Sequence, residues 1–324
     1  MIVRWGLAEL PGVLEEVGTE RPLLISTERW RALDLPVAAR FYGAQSHAER
    51  TGVEAATEQA AGADGLVALG GGSAIDTAKA VSAATGLPLV SIPTTYAGAE
   101  WTAYFGTRDS ATGTKGGGGG AHLAGIVYEP RLTLELPRGE SGGTAMNALA
   151  HCAEALYVLN RNEDADQHAL AGAALIGTWL RPVLAEPRDL EARTELLRGA
   201  AEAGAALAGS GLALGHAMAQ ALGGRYGLAH GALNAICLPP ALRYNEPVAA
   251  GEIARFGEAM GTDDPIGRTV ELARLAGFER LRDLGVPRDE LGEVAEAAAR
   301  RPAMKLNPRP AGPAEIEELL ESVW

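Results

Sequence analysis

Gly65-Leu-Val-Ala-Leu-Gly-Gly-Gly-Ser-Ala-Ile-Asp-Thr-Ala-Lys79 is the stretch whose reading decides the fold. Leu66 to Leu69 is a short apolar run of the kind that makes a buried strand in a parallel sheet. Gly70, Gly71 and Gly72 follow at once, and Ser73 is placed to cap a helix running to about Thr85. Strand, glycine turn and helix N-terminus together make a diphosphate site. Glycines let backbone approach the ligand, and the free N–H groups and helix dipole favour an anion. The spacing Gly-Gly-Gly-Ser-x-x-Asp-x-x-Lys lacks the last glycine of the common dinucleotide fingerprint and puts an acid, Asp76, in the first helical turn. Taken alone, the stretch also fits a tight turn that binds nothing.

On either side of it, strands and helices alternate. Met1 to Gly6, Pro22 to Thr27, Arg40 to Gly43, Leu89 to Pro93 and Ala124 to Tyr128 read as strands, with helical pieces at Leu10 to Val17 and around Val53, Ala56 and Ala60. This is the pattern of a doubly wound parallel α/β sheet, where ligands sit at the carboxyl ends of strands. Those ends carry Ser26-Thr27, Ala44 to His47, Gly70 to Ser73, and Thr94-Thr95-Tyr96. Lys115 is followed by five glycines, Gly116 to Gly120, a run expected to form a flexible loop. From about Ser141 the spacing of apolar residues is helical throughout, in segments 143–158, 164–182, 190–209, 211–223, 231–243, 248–260, 265–276, 278–283, 287–299 and 313–323. Residues 1–139 are read as a dinucleotide-binding α/β domain and 140–324 as an all-helical catalytic domain.

Composition sets the outer limits. A chain of 324 residues is long enough for two cores, and 47% apolar residues fit a soluble globular protein. A net charge of −13 without a basic stripe argues against a nucleic-acid partner. No apolar run approaches the ~18–20 residues of a membrane span, and the first residues read as a strand, not a secretory leader. The two cysteines, Cys152 and Cys237, suit reduced thiols in a cytoplasm.

Four of the six histidines fall in the helical half; His168 sits in a charged run read as a solvated face, and the other three stand out. Asn147 and His151 are four apart and share a helix face, as do His216 and Gln220, while His230 opens a later helix. A histidine on an apolar helix is commonly a hydrogen-bonded structural residue. Three together also suit acid–base work or a divalent ion such as Zn²⁺ or Fe²⁺. The fourth ligand for an ion would be a carboxylate, and Asn147 stands there instead. No metal is therefore expected; if one binds, His151, His216 and His230 hold it.

The chain resembles the iron-containing (group III) alcohol dehydrogenases, most of all the maleylacetate reductases. The resemblance rests on Gly70 to Lys79, Ile92-Pro-Thr-Thr-Tyr-Ala-Gly-Ala-Glu100, Val127 to Pro137, Met146-Asn-Ala-Leu-Ala-His-Cys-Ala-Glu-Ala-Leu-Tyr157, Ala221 to His230, Asn234 to Asn245, and Asn307-Pro-Arg-Pro310. It implies a dehydroquinate-synthase-like two-domain fold, with the active site in a cleft between domains, and a homodimer. It also implies NADH or NADPH, with Gly71, Gly72 and Ser73 on the pyrophosphate, Thr94 and Thr95 near it, and Lys115 near the ribose. Ser26 and Asp76 complete the expected cofactor set. Metal-using members hold the ion with an Asp and three His, at positions that are Asn147, His151, His216 and His230 here. Asn in place of Asp is also what the reductase branch looks like.

The implied reaction is reduction of maleylacetate, or a similar small oxo-acid, to 3-oxoadipate in aromatic degradation. His151, His216 and His230 are the expected proton donors and oxyanion partners, with Asn147 and Tyr96 assisting. Three departures border the expected substrate: Gly215 before His216 where relatives carry a His-His pair, Gly116 to Gly120, and Trp101. Three other readings remain open at this point. One is a metal-dependent alcohol or aldehyde dehydrogenase, one a dehydroquinate-synthase-like lyase or cyclase, and one a nucleotide-binding homologue without turnover.

Overall fold

The decisive strand lies fully buried in the middle of a parallel sheet. The structure is a computed structural model that describes residues 1–112 and 114–324, with backbone alone for Thr114 and Lys115. It divides into two units, Met1–Thr133 and Leu134–Trp324.

In the first unit the described strands are β1 (Ile2–Trp5), β2 (Pro22–Ile25), β3 (Ala39–Phe41), β4 (Gly65–Gly70), β5 (Pro88–Pro93), β6 (Phe105–Asp109), β7 (Thr114–Gly118) and β8 (His122–Tyr128). Helices α1 (Leu10–Val17), α2 (Arg50–Gln59) and α3 (Gly72–Thr85) alternate with them. Six strands form one sheet in the order β1-β8-β5-β4-β2-β3, every pair parallel. The continuous apolar runs are explained by burial on both faces. Leu66 and Ala68 of β4 pack with Ala56, Ile75, Ala78 and Val81 of α2 and α3. Val67 and Leu69 turn the other way, toward Leu10, Val13 and Leu14 of α1. This is the doubly wound arrangement expected from the sequence.

The glycine run departs from expectation. Gly116, Gly117 and Gly118 belong to β7, which pairs antiparallel with β6 in a separate two-stranded sheet. The run is strand because its neighbours leave no room for side chains. A Cβ on Gly117 would stand 2.6 Å from the Phe105 carbonyl oxygen, and one on Gly118 2.8 Å from the Phe105 ring.

The second unit's described helices are α4 (Arg138–Tyr157), α5 (Glu163–Ala185), α6 (Leu190–Gly209), α7 (Leu214–Tyr226), α8 (His230–Ala259), α9 (Pro265–Ala276), α10 (Leu291–Ala299) and α11 (Pro313–Ser322). Side chains of Asn162, Asp189 and Asp264 cap α5, α6 and α9. The expected segments 231–243 and 248–260 are the two arms of α8, which is broken at Ala249 (φ −138°, ψ 30°). The expected helix at 278–283 is only a short 3-10 turn, Leu281–Leu284. No described helix is long and apolar enough to cross a membrane.

Candidate active site

In the first unit, Gly70 at the end of β4 has φ +147°, a backbone conformation that favours glycine, and Thr94 donates its N–H to the Gly70 carbonyl at 3.0 Å. The glycine turn and the Thr94-Thr95 loop are thereby joined side by side. Thr95 leans over Gly71, where a Cβ would come within 2.8 Å of its methyl carbon, while above Gly72 there is open space. Helix α3 starts with Gly71 as its N-cap and no side chain capping it. Ser73, expected as the cap, is two residues too far along. Its hydroxyl instead accepts the His47 N–H at 2.9 Å and ties the 44–49 loop to the turn.

Two other expected cofactor residues are already engaged. Ser26 is fully buried and donates its hydroxyl to the Leu69 carbonyl at 2.8 Å, stitching β2 to β4. Asp76 meets the buried Lys79 ammonium at 2.8 Å and accepts the Gly106 N–H at 3.2 Å, so its carboxylate anchors the β6–β7 hairpin. The side chain of Lys115, expected beside the ribose, lies outside the described residues. Tyr96 is fully buried in the loop after β5. Trp101 gives its indole N–H to the Tyr128 hydroxyl, which donates to buried Glu100. Burial raises the Glu100 carboxyl above its ordinary range.

In the second unit the three expected histidines come together from α4, α7 and α8. The His151 and His216 rings stack at 4.8 Å between centroids, and His216 and His230 stand 5.7 Å apart at 51°. His216 is fully buried, His151 nearly so, and His230 is exposed. Two asparagines thread the cluster. Asn234 Nδ2 lies 2.6 Å from Asn147 Oδ1 and 3.0 Å from His230 Nε2, and Asn147 Nδ2 lies 3.4 Å from His151 Nε2. Behind His216 sits Glu154, fully buried, with Oε2 2.8 Å from Nδ1. Burial, with His216 and His230 alongside, holds His151 well below the ordinary imidazole range.

Glu154 and Asn234 were given no role from the sequence. Each carried a signal: Glu154 follows His151 by three residues on the Asn147 face of α4, and Asn234 follows His230 by four. Gln220 is half-buried on α7, its carbonyl accepting from Arg301 at 3.2 Å.

The family model described as "Iron-containing alcohol dehydrogenase" matches residues 4–124, and "Fe-containing alcohol dehydrogenase family, C-terminal" matches residues 142–324. The chain belongs to the iron-containing alcohol dehydrogenase family. Within this family it is 37% identical over 303 residues to the maleylacetate reductase of Pseudomonas knackmussii, covering 90% of this chain and 86% of that one. The crystal structure of maleylacetate reductase from Rhizobium sp. strain MTP-10005 matches with TM-score 0.90 at 33% identity, covering 100% of this chain and 95% of that one. The corresponding enzyme structure from Agrobacterium tumefaciens matches with TM-score 0.91 at 31% identity and the same coverage.

The iron in the family's name is tested by the donor set present. The His151 and His230 Nε2 lone pairs face amide N–H groups of Asn147 and Asn234, and the carboxylate of Glu154 lies on the Nδ1 side of His216. Among the described residues no group of three or more His, Cys, Asp or Glu side chains is arranged to hold a metal ion. Of the three Nε2 atoms, that of His216 alone lacks a partner among the described residues, so the set offers one free imidazole lone pair and no charged oxygen beside it, and fits hydrogen bonding better than a divalent ion. The uncapped helix and open glycine turn of the first unit do fit an anionic diphosphate.

Proposed function

We infer that this chain is an NAD(P)H-dependent oxidoreductase that reduces maleylacetate, or a similar small oxo-acid, with 3-oxoadipate the product from maleylacetate. The relatives support the reaction. The observation that carries it here is the pair of amides on the histidines, which sets the cluster up for hydrogen bonding and proton transfer.

When bound, the reduced nicotinamide supplies a hydride to the alkene carbon β to the ketone. Charge then gathers on the ketone oxygen, and one proton must reach the α carbon. His151 is the partner for the oxygen. It is neutral at pH 7, and with Asn147 on Nε2 its proton sits on Nδ1, a buried nitrogen without a protein partner. Such a preset donor stabilises a developing oxyanion. The proton for the α carbon comes from water, which reaches the cluster at His230, its exposed ring. His216, fully enclosed, acts through its neighbours.

Both nicotinamide cofactors are accepted on this reading. Glu28 follows β2, where an acid would repel a 2′-phosphate, but Arg31 grips it with two hydrogen bonds of 2.6 and 2.5 Å. The protein works as a cytoplasmic homodimer, with Cys152 and Cys237 buried as free thiols whose ionisation burial opposes.

The test is oxidation of NADH and NADPH with maleylacetate before and after exhaustive chelation. Equal turnover in both states is expected. Turnover only with added metal would overturn the metal-free reading, and none in either state would overturn the substrate.

A further inference from the structure

We propose that Glu154 is a positioning residue of the reaction: it fixes the orientation and the tautomer of His216 and so decides which nitrogen of that ring faces the histidine cluster as an acceptor. The inference rests on the reductase reading above and adds a residue to it.

The Glu154 carboxylate is fully buried and collects three N–H groups. Ala213 N–H donates to Oε2 at 2.6 Å, His216 N–H to Oε1 at 3.1 Å, and His216 Nδ1 lies 2.8 Å from Oε2. Ala213 is the N-cap of α7 and no side chain of α7 caps that end, so an acid from α4 does the capping across the fold. A carboxylate there is favoured by the helix dipole and by charge-assisted hydrogen bonds. It can only accept from Nδ1. His216 therefore carries hydrogen on Nδ1, and Nε2 is left as the acceptor.

That Nε2 is buried without a partner, in a ring stacked on His151 and next to His230. Asn234 Oδ1 and His151 Nδ1 are likewise buried and unpartnered. Among the described residues, six buried side-chain polar atoms lack a partner, and three of them belong to this one cluster. Unsatisfied polar atoms gathered like this call for a bound group or a chemical role. Glu154 decides the chemistry of one of them. With Nδ1–H tied to the carboxylate, Nε2 is held as an acceptor in the ring that stacks on His151. In the reaction no bond to Glu154 forms or breaks.

The experiment compares the wild type and Glu154→Gln by steady-state kinetics and by ¹⁵N spectra of histidine-labelled protein, with His216→Gln used to assign the His216 signals. Wild-type His216 is expected to show a protonated Nδ1 and a bare Nε2. Glu154→Gln is expected to lower kcat roughly 10- to 100-fold with KM for the nicotinamide unchanged, and to shift the His216 tautomer. A folded Glu154→Gln variant with kcat within about twofold of wild type overturns the proposal. So does a wild-type spectrum in which Nε2 carries the hydrogen, which decides the matter even if the variant fails to fold. The spectra need no substrate. Lack of maleylacetate turnover in the wild type would strike the functional reading, and the tautomer would still be judged.

Discussion

Asn234 stands between Asn147 and His230, its amide nitrogen 2.6 Å from the oxygen of one and 3.0 Å from Nε2 of the other. A neutral amide at 147 can accept that bond and still turn its own N–H toward His151. A carboxylate there would present only acceptors. Asn147→Asp is accordingly expected to replace the amide-to-imidazole contact with an anion beside three imidazoles. The variant should take up Zn²⁺ in metal analysis and by calorimetry where the wild type does not, and its metal-free turnover should fall. An Asn147→Asp protein that stays metal-free after incubation with Zn²⁺ would contradict this account.

The buried state of His151 has a consequence for stability. Its folded-state value lies well below the ordinary 6.5, so in mildly acidic solution the unfolded chain binds a proton that the folded chain refuses. Stability is therefore full above about pH 6.5 and falls below it, by about 1.4 kcal/mol per pH unit until the folded-state value is reached. The melting temperature should drop from pH 7.5 to pH 5.5, and the drop should be smaller in His151→Gln. An equal slope in the two proteins would assign the acid sensitivity to other groups.

At the glycine turn, Gly71 and Gly72 make a matched pair of tests. Gly71→Ala sets a methyl 2.8 Å from the Thr95 side chain, whereas Gly72→Ala points into open space where a diphosphate is expected. Both should weaken NADH binding, by roughly tenfold or about 1.4 kcal/mol. Only Gly71→Ala should also lower the melting temperature. Fluorescence titration with NADH and a melting curve on each variant separate the two effects.

The parallel sheet and the helix pairs were legible in sequence because each signal is local. A strand buried on both faces is a continuous apolar run, as at Leu66 to Leu69, and residues four apart share a helix face, as do Asn147 and His151. What a local pattern does not show is the partner chosen across the chain. The Asp76 carboxylate holds Lys79 and the Gly106 N–H, and the Ser26 hydroxyl holds the Leu69 carbonyl, contacts that no spacing announces. Glu154 gives no local sign of its role, because its work depends on the backbone of a helix some sixty residues away (59 to Ala213, 62 to His216).

The glycine run was misread for a related reason. Glycine has poor strand propensity, so only the facing residues reveal that β7 exists. Gly117→Ala would push its methyl to 2.6 Å from a backbone oxygen of β6, which cannot swing aside as a side chain could. The expected result is loss of the hairpin, costing roughly 1–3 kcal/mol, with new protease cleavage between Phe105 and Gly118. Unchanged cleavage in limited proteolysis would mean that the pairing tolerates a side chain there.

Gly215 tests the Glu154 arrangement from the opposite side. An alanine in the first turn of a helix ordinarily stabilises it, by up to about 1 kcal/mol relative to glycine. Here the added Cβ would stand 2.9 Å from Glu154 Oε1, the oxygen that also accepts the His216 N–H. Glu154 has a flexible side chain, but its three N–H partners hold it, so it can move only by giving up at least one of them. Gly215→Ala should therefore fold, gain none of the stability expected of an alanine, and lose turnover in the same direction as Glu154→Gln but by less. The His216 nitrogen spectrum should change with it. A Gly215→Ala protein that is more stable than wild type and equally active would show that the carboxylate has freedom its contacts deny.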